Sequence, residues 1–151
     1  MENLHLETFQ AEAQGNGWPT KVDITNTAWK LQLDEPIEDG GSNSGPNPMQ
    51  YFTASSAGCQ NEQAQVVADE LSLNIEQINI KVEIELDLSG FMGTSDNSNG
   101  SYKNVRLDAA VLGGATDEQV KSVGQKVDAR CPILALLRTS GCKIESNWRK
   151  K

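Results

Sequence analysis

Alternation between apolar and polar positions is the strongest signal in the chain. Ile78, Ile80, Val82, Ile84, Leu86 and Leu88 interleave with Asn79, Lys81, Glu83, Glu85 and Asp87. A period of two gives a strand one buried face and one wet face. Tyr102 to Leu112 repeats the pattern, with Val105, Leu107, Ala109 and Val111 on one side. The polar segment from Ser89 to Gly100 joins them, so the pair reads as a long hairpin. Its tip carries Phe91 and Met92 and is either a flap over a pocket or a flexible turn. Weaker alternation predicts strands over residues 4–13, Lys21 to Asn26 and Trp29 to Leu33, with a turn at Gly15-Asn16-Gly17-Trp18-Pro19.

The helical period appears in three places. Pro48 suits a first helical turn and Asn47 its N-cap, which predicts a helix to about Leu71. Its first half, from Met49 to Cys59, is almost free of charge and rich in Ala, Ser and Gly. Such a stretch reads as a long buried central helix. Gly58 costs about 1 kcal/mol against Ala in a helix interior, so it predicts close approach by another backbone. Thr116-Asp117-Glu118-Gln119 is a capping box, opening a helix with Val120, Val123 and Val127 on its apolar stripe. Pro132 starts a further helix, Ile133 to Arg138, with Cys131 as N-cap and Gly141 as its stop. Asp34 to Asn47 reads as a mobile loop. Cys142 to Ser146 reads as a short last strand, followed by a basic tail from Trp148 to Lys151. The order β-β-β-α-β-β-α-α-β predicts an α+β fold with a mainly antiparallel sheet.

Composition narrows the function. A chain of 151 residues favours a single domain, 1–151. Its 37% hydrophobic content is modest, so a partner subunit is expected to complete the core. A net charge of −8 disfavours binding to nucleic acid or to an anionic membrane surface. No stretch reaches the ~18–20 apolar residues of a membrane span. Met1-Glu2-Asn3-Leu4-His5 has neither the basic nor the apolar region of a signal peptide, so a cytoplasmic location is expected. In that compartment Cys59, Cys131 and Cys142 are expected to be reduced thiols. His5 is the only histidine and no CxxC is present, so no metal or other cofactor is expected, nor a Cys-His dyad.

The thiolate is the reactive form of cysteine. Cys131, at a helix N-cap, would face unpaired N–H groups that favour an anion. Cys59 lies within a helix, and Glu62 three residues on would repel a thiolate. It therefore requires a cation from elsewhere. The residues alone leave two readings open for this pair, ordinary buried thiols or redox chemistry. Cys142 reads as packing at a strand start.

The segment Asn47-Pro48-x-Gln50-x-Phe52-x-Ala54-x-x-Ala57-Gly58-Cys59 resembles the signature of the OsmC/Ohr family, the osmotically inducible and organic-hydroperoxide-resistance proteins. Cys131-Pro132-Ile133 resembles that family's second motif, at a matching distance along the chain. The resemblance runs from about Leu4 to Ser146. It implies an OsmC-like α+β fold in an interlocked homodimer, and an oxidative stress response. It also implies Cys-dependent reduction of organic hydroperoxides, a thiol peroxidase of peroxiredoxin-like activity. Cys59 is then the peroxidatic thiol, Cys131 the resolving one, and an external dithiol the reductant.

The chain departs from the pattern in one respect. Active members of the family activate the thiol with an arginine from the first strands, held by a glutamate that follows the Asn-Pro. Met49 stands at the glutamate position, and no arginine precedes Arg106. Losing an opposite charge raises a thiol by about 1–3 pKa units. Lys21, Lys30 and Arg138 are the candidate replacements. The alternative function is that of a non-peroxidase family member that binds a small apolar or thiol-bearing ligand.

Overall fold

The computed structural model of the chain describes residues 5–96 and 100–151. Leu4, where the first strand is expected to begin, and residues 97–99 of the hairpin tip lie outside them. The chain forms two compact units, Met1–Phe52 and Thr53–Lys151.

In the first unit, β1 (Ala11–Gln14), β2 (Thr20–Ile24) and β3 (Lys30–Leu33) form an antiparallel sheet in that order. Ala13 faces Val22, which faces Leu31. Three expected strands are present, but the first is shorter than its alternation suggests. Only Ala11–Gln14 find partners on β2, and Phe9 is left 88% exposed. A strand without a pairing neighbour has no ladder to hold it.

The segment after β3 carries an organisation that its loop-like composition does not predict. It is wrapped around the carboxylate of Asp34, which is fully buried. Backbone N–H groups of Glu35, Ser42 and Ser44 and the hydroxyls of Ser42 and Ser44 all donate to it, at 2.6 to 3.2 Å. The Ser42 and Ser44 hydroxyls, with the Ser44 N–H, hold Asp34 well below the usual carboxylate range. The stabilisation from this charge is therefore complete above an unfolded pKa of about 3.9 and fades as pH falls toward the depressed folded value. A side chain at Gly45 would collide with the Gln32 carbonyl, and one at Gly41 with the Glu35 carbonyl.

Helix α1 (Pro48–Glu70) begins in the first unit and continues into the second. Its start is fixed by a reciprocal pair. Asn47 Oδ1 accepts from the Gln50 N–H, and Gln50 Oε1 accepts from the Asn47 N–H, both at 2.9 Å. The helix buries one stripe, Ser56, Gln60, Ala64, Val67 and Ala68. Ala54, Ser55, Gly58 and Glu62 lie on its exposed side. A Cβ added to Gly58 would meet nothing within 4 Å, so the expected close backbone is not found among the described residues.

The second unit continues with β4 (Ile75–Leu86) and β5 (Tyr102–Gly113), the expected antiparallel hairpin. β6 (Lys143–Lys150) pairs in parallel with β5. It is longer than expected and absorbs most of the basic tail. Its register sets Arg149 opposite Ala110 and Lys150 opposite Val111, so β5 supplies the ladder that the tail's polar sequence does not advertise. Between β5 and β6 lie α2 (Asp117–Arg130), with the expected capping box at Thr116, and α3 (Pro132–Thr139). Leu107, Ala109, Val111 and Trp148 of the sheet pack with Val120, Val123 and Val127 of α2 and with Ala64 and Val67 of α1. The opposite sheet face is charged, with Glu83, Arg106 and Glu145 in one row across the three strands.

Candidate active site

Three local features bring two thiols together. α1 holds Cys59 half-buried, midway along its length. α2 ends at Arg130 because Pro132 lacks an N–H and biases Cys131 toward extended backbone, observed at φ −67° and ψ 117°. The same Pro132 is the first residue of α3, so Cys131 is both the end of one helix and the N-cap of the next. The Sγ atoms of Cys59 and Cys131 lie 3.1 Å apart. Both are free thiols, and Cys131 is fully buried. The Cys131 thiol makes no capping hydrogen bond to α3, as a conventional N-cap side chain would.

The surroundings of Cys59 oppose ionisation. Burial, then the hydrogen bond and the charge interaction with Cys131, push its pKa up to about 12, with a smaller contribution from Glu62. The backbone of Ile133 acts the other way, hydrogen-bonding Cys59 so as to favour a thiolate. Ile133 is the second residue of α3, where N–H groups lack partners inside the helix. Thus the α3 N-terminus, expected to act on Cys131, acts on Cys59. The expected repulsion by Glu62 is present, though minor.

Two of the three candidate cations have other engagements. Lys30 donates to Asp23 at 2.8 Å. Arg138, exposed near the end of α3, donates to the Asp128 carbonyl at 3.4 Å. Lys21 lies on β2 between Gln14 and Gln32. Cys142 is buried just before β6, and burial raises its pKa, in keeping with a packing role. Two polar side chains beside Cys59 on α1 escape a reading based on cysteines. Ser56 and Gln60 are fully buried, and neither finds a hydrogen-bond partner among the described residues. Their four-residue spacing with Ala64, which sets all three on one helix face, is the sequence signal that marks them.

The family model for OsmC-like proteins matches residues 41–147. Among solved structures, the organic hydroperoxide resistance protein OsmC from Legionella pneumophila is 25% identical, with a TM-score of 0.73. The match covers 95% of this chain and 98% of that one. An OsmC-like protein from Mycoplasma pneumoniae is 16% identical, covering 96% of each chain, with a TM-score of 0.79. An organic hydroperoxide resistance protein from Elizabethkingia anophelis is 22% identical, covering 97% of this chain and 99% of that one, with a TM-score of 0.72. The last two likenesses concern the fold. No curated protein matches the chain.

Proposed function

Because the chain belongs to the OsmC-like protein family, we propose that it is a Cys-dependent reductase of organic hydroperoxides, with Cys59 as peroxidatic and Cys131 as resolving thiol. The observation that carries this reading is the 3.1 Å approach of two free thiols held by different helices. The Cys59 thiolate attacks the terminal oxygen of the hydroperoxide. An S–O bond forms, the O–O bond breaks, and the departing alkoxide takes a proton to leave as the alcohol. Cys59 is then a sulfenic acid. Cys131 attacks its sulfur, the S–S bond forms, and the hydroxyl leaves as water. An external dithiol, itself oxidised, returns both thiols.

A second thiol this close diverts the sulfenic acid from over-oxidation. The thiol-based cycle suits a reducing compartment such as the cytoplasm. The protein acts as a homodimer on this reading, which is supported by exposed apolar side chains such as Leu6 and Phe9, 84% and 88% accessible in the single chain. No helix among the described residues is long and apolar enough to cross a membrane.

A second reading has one observation in its favour, the strongly raised Cys59. A thiol kept protonated suits a site that binds a small apolar or thiol-bearing ligand without turnover. One assay separates the two. The purified protein with a dithiol is expected to consume cumene hydroperoxide, slowly, and Cys59→Ser to abolish consumption. Unchanged consumption in that variant, or none in the parent protein at any pH up to about 9, defeats the peroxidase reading.

A further inference from the structure

We propose that the Glu70–Arg130 ion pair is a positioning clamp that sets how readily Cys59 and Cys131 join. The inference rests on the redox reading of those two cysteines. Glu70 is the last residue of α1, the helix that carries Cys59. Arg130 is the last residue of α2 and immediately precedes Cys131. The Arg130 Nη1 reaches both oxygens of the Glu70 carboxylate, at 2.8 Å each. The contact holds Glu70 below the ordinary glutamate range, chiefly through the hydrogen bond from Arg130, and raises Arg130 in turn. The pair therefore ties the end of the peroxidatic helix to the residue before the resolving thiol.

The need for such a tie follows from disulfide geometry. Closing an S–S bond requires the two Cβ atoms to come within about 3.5–4.5 Å, with a restricted torsion. α1 contributes Ala64 and Val67, and α2 contributes Val120, Val123 and Val127, to one apolar cluster. Such contacts are non-directional and tolerate sliding of one helix along the other. A carboxylate held by an arginine at a helix end is directional and restricts that sliding. The side chains of Arg130 and Glu70 are 41% and 46% accessible, so the tie is weakened by salt but not removed. The row of Arg106 with Glu83 and Glu145 is a similar exposed set on the sheet, bonded to neither cysteine segment, and supplies a control.

The experiment measures two rates on the full-length protein. One is alkylation of Cys59, which reads its reactivity. The other is closure of the Cys59–Cys131 disulfide after a single addition of cumene hydroperoxide, followed by acid quench and peptide mapping. Glu70→Gln and Arg130→Gln are expected to slow closure by about two- to fivefold, with Cys59 alkylation unchanged. The double variant should close no more slowly than either single one, because the two residues act as one unit. The deficit should also shrink if the parent protein is assayed in about 1 M salt, which slows its own closure toward the variants. Arg106→Gln should close at the parent rate. A clamp that merely stabilises the fold would lower the melting temperature of the variants and leave closure intact, and that result overturns the proposal. Closure in the parent with equal rates in the variants overturns the clamp alone. No disulfide in the parent at any time overturns the redox reading and the clamp with it.

Discussion

Alkylation of Cys59 is expected to accelerate about tenfold for each pH unit between about pH 7 and pH 10, a roughly thousandfold rise. The direction follows from the sign of the shift. Burial and the Cys131 thiol disfavour the thiolate, so the protonated form prevails throughout this range. With its pKa raised this far, the thiolate is a small minority at neutral pH and grows in proportion to hydroxide. Hydroperoxide consumption requires the same thiolate and should climb with the same slope. Cys131→Ala removes the second and third contributions to the shift and should make Cys59 alkylate faster at every pH. The probe is a pH series of alkylation with site assignment by mass spectrometry. A rate already flat at pH 7 would mean that a cation outside the described surroundings of Cys59, such as one on a second copy of the chain, activates it.

Gly124→Val should cost about 3 kcal/mol or more. Gly124 is fully buried in the middle of α2, against the face of the Trp148 indole on β6. An added Cβ would lie 2.8 Å from Cδ2 of that ring and inside contact distance of Cγ and Cδ1. Glycine inside a helix is normally a loss of about 1 kcal/mol against alanine. Here the lost propensity is outweighed, since the absent side chain lets α2 lie directly on the sheet. The indole cannot retreat freely, because its Nε1 donates to Ser146 Oγ at 3.1 Å. For a chain of this size the melting temperature should fall by about 6–12 °C, read by circular dichroism. A melting temperature within about 2 °C of the parent would show that the Trp148 packing is not as tight as drawn. The consequence reaches the site, because α2 delivers Cys131 at its end.

Much of this arrangement was legible from local rules. Period-two alternation located the β4–β5 hairpin, and Thr116 with Gln119 announced α2. Cys131-Pro132 announced the junction that carries the second thiol. The sequence signal failed where the deciding interaction is distant in the chain. Lys143–Lys150 becomes a full strand because β5 lies alongside it, and nothing in Asn147-Trp148-Arg149-Lys150 predicts that neighbour. The composition from Asp34 to Asn47 is that of a loop, yet the Ser42 and Ser44 hydroxyls converge on the Asp34 carboxylate. Gly58 has the sequence setting of a packing glycine, yet among the described residues nothing lies within 4 Å of an added Cβ. For the site, the motifs gave both cysteines. Their 3.1 Å proximity, the action of the Ile133 backbone on Cys59 and the Glu70–Arg130 tie all required three dimensions.

The measurement that bears most directly on the proposed chemistry is the product of one hydroperoxide turnover in the absence of reductant. The reduced protein is mixed with one equivalent of cumene hydroperoxide, quenched in acid and digested without a reducing agent. The account predicts a single new cross-linked peptide joining Cys59 to Cys131, with Cys142 still a free thiol. Recovery of Cys59 as an unmodified thiol, or a disulfide that involves Cys142 in place of Cys131, would contradict it.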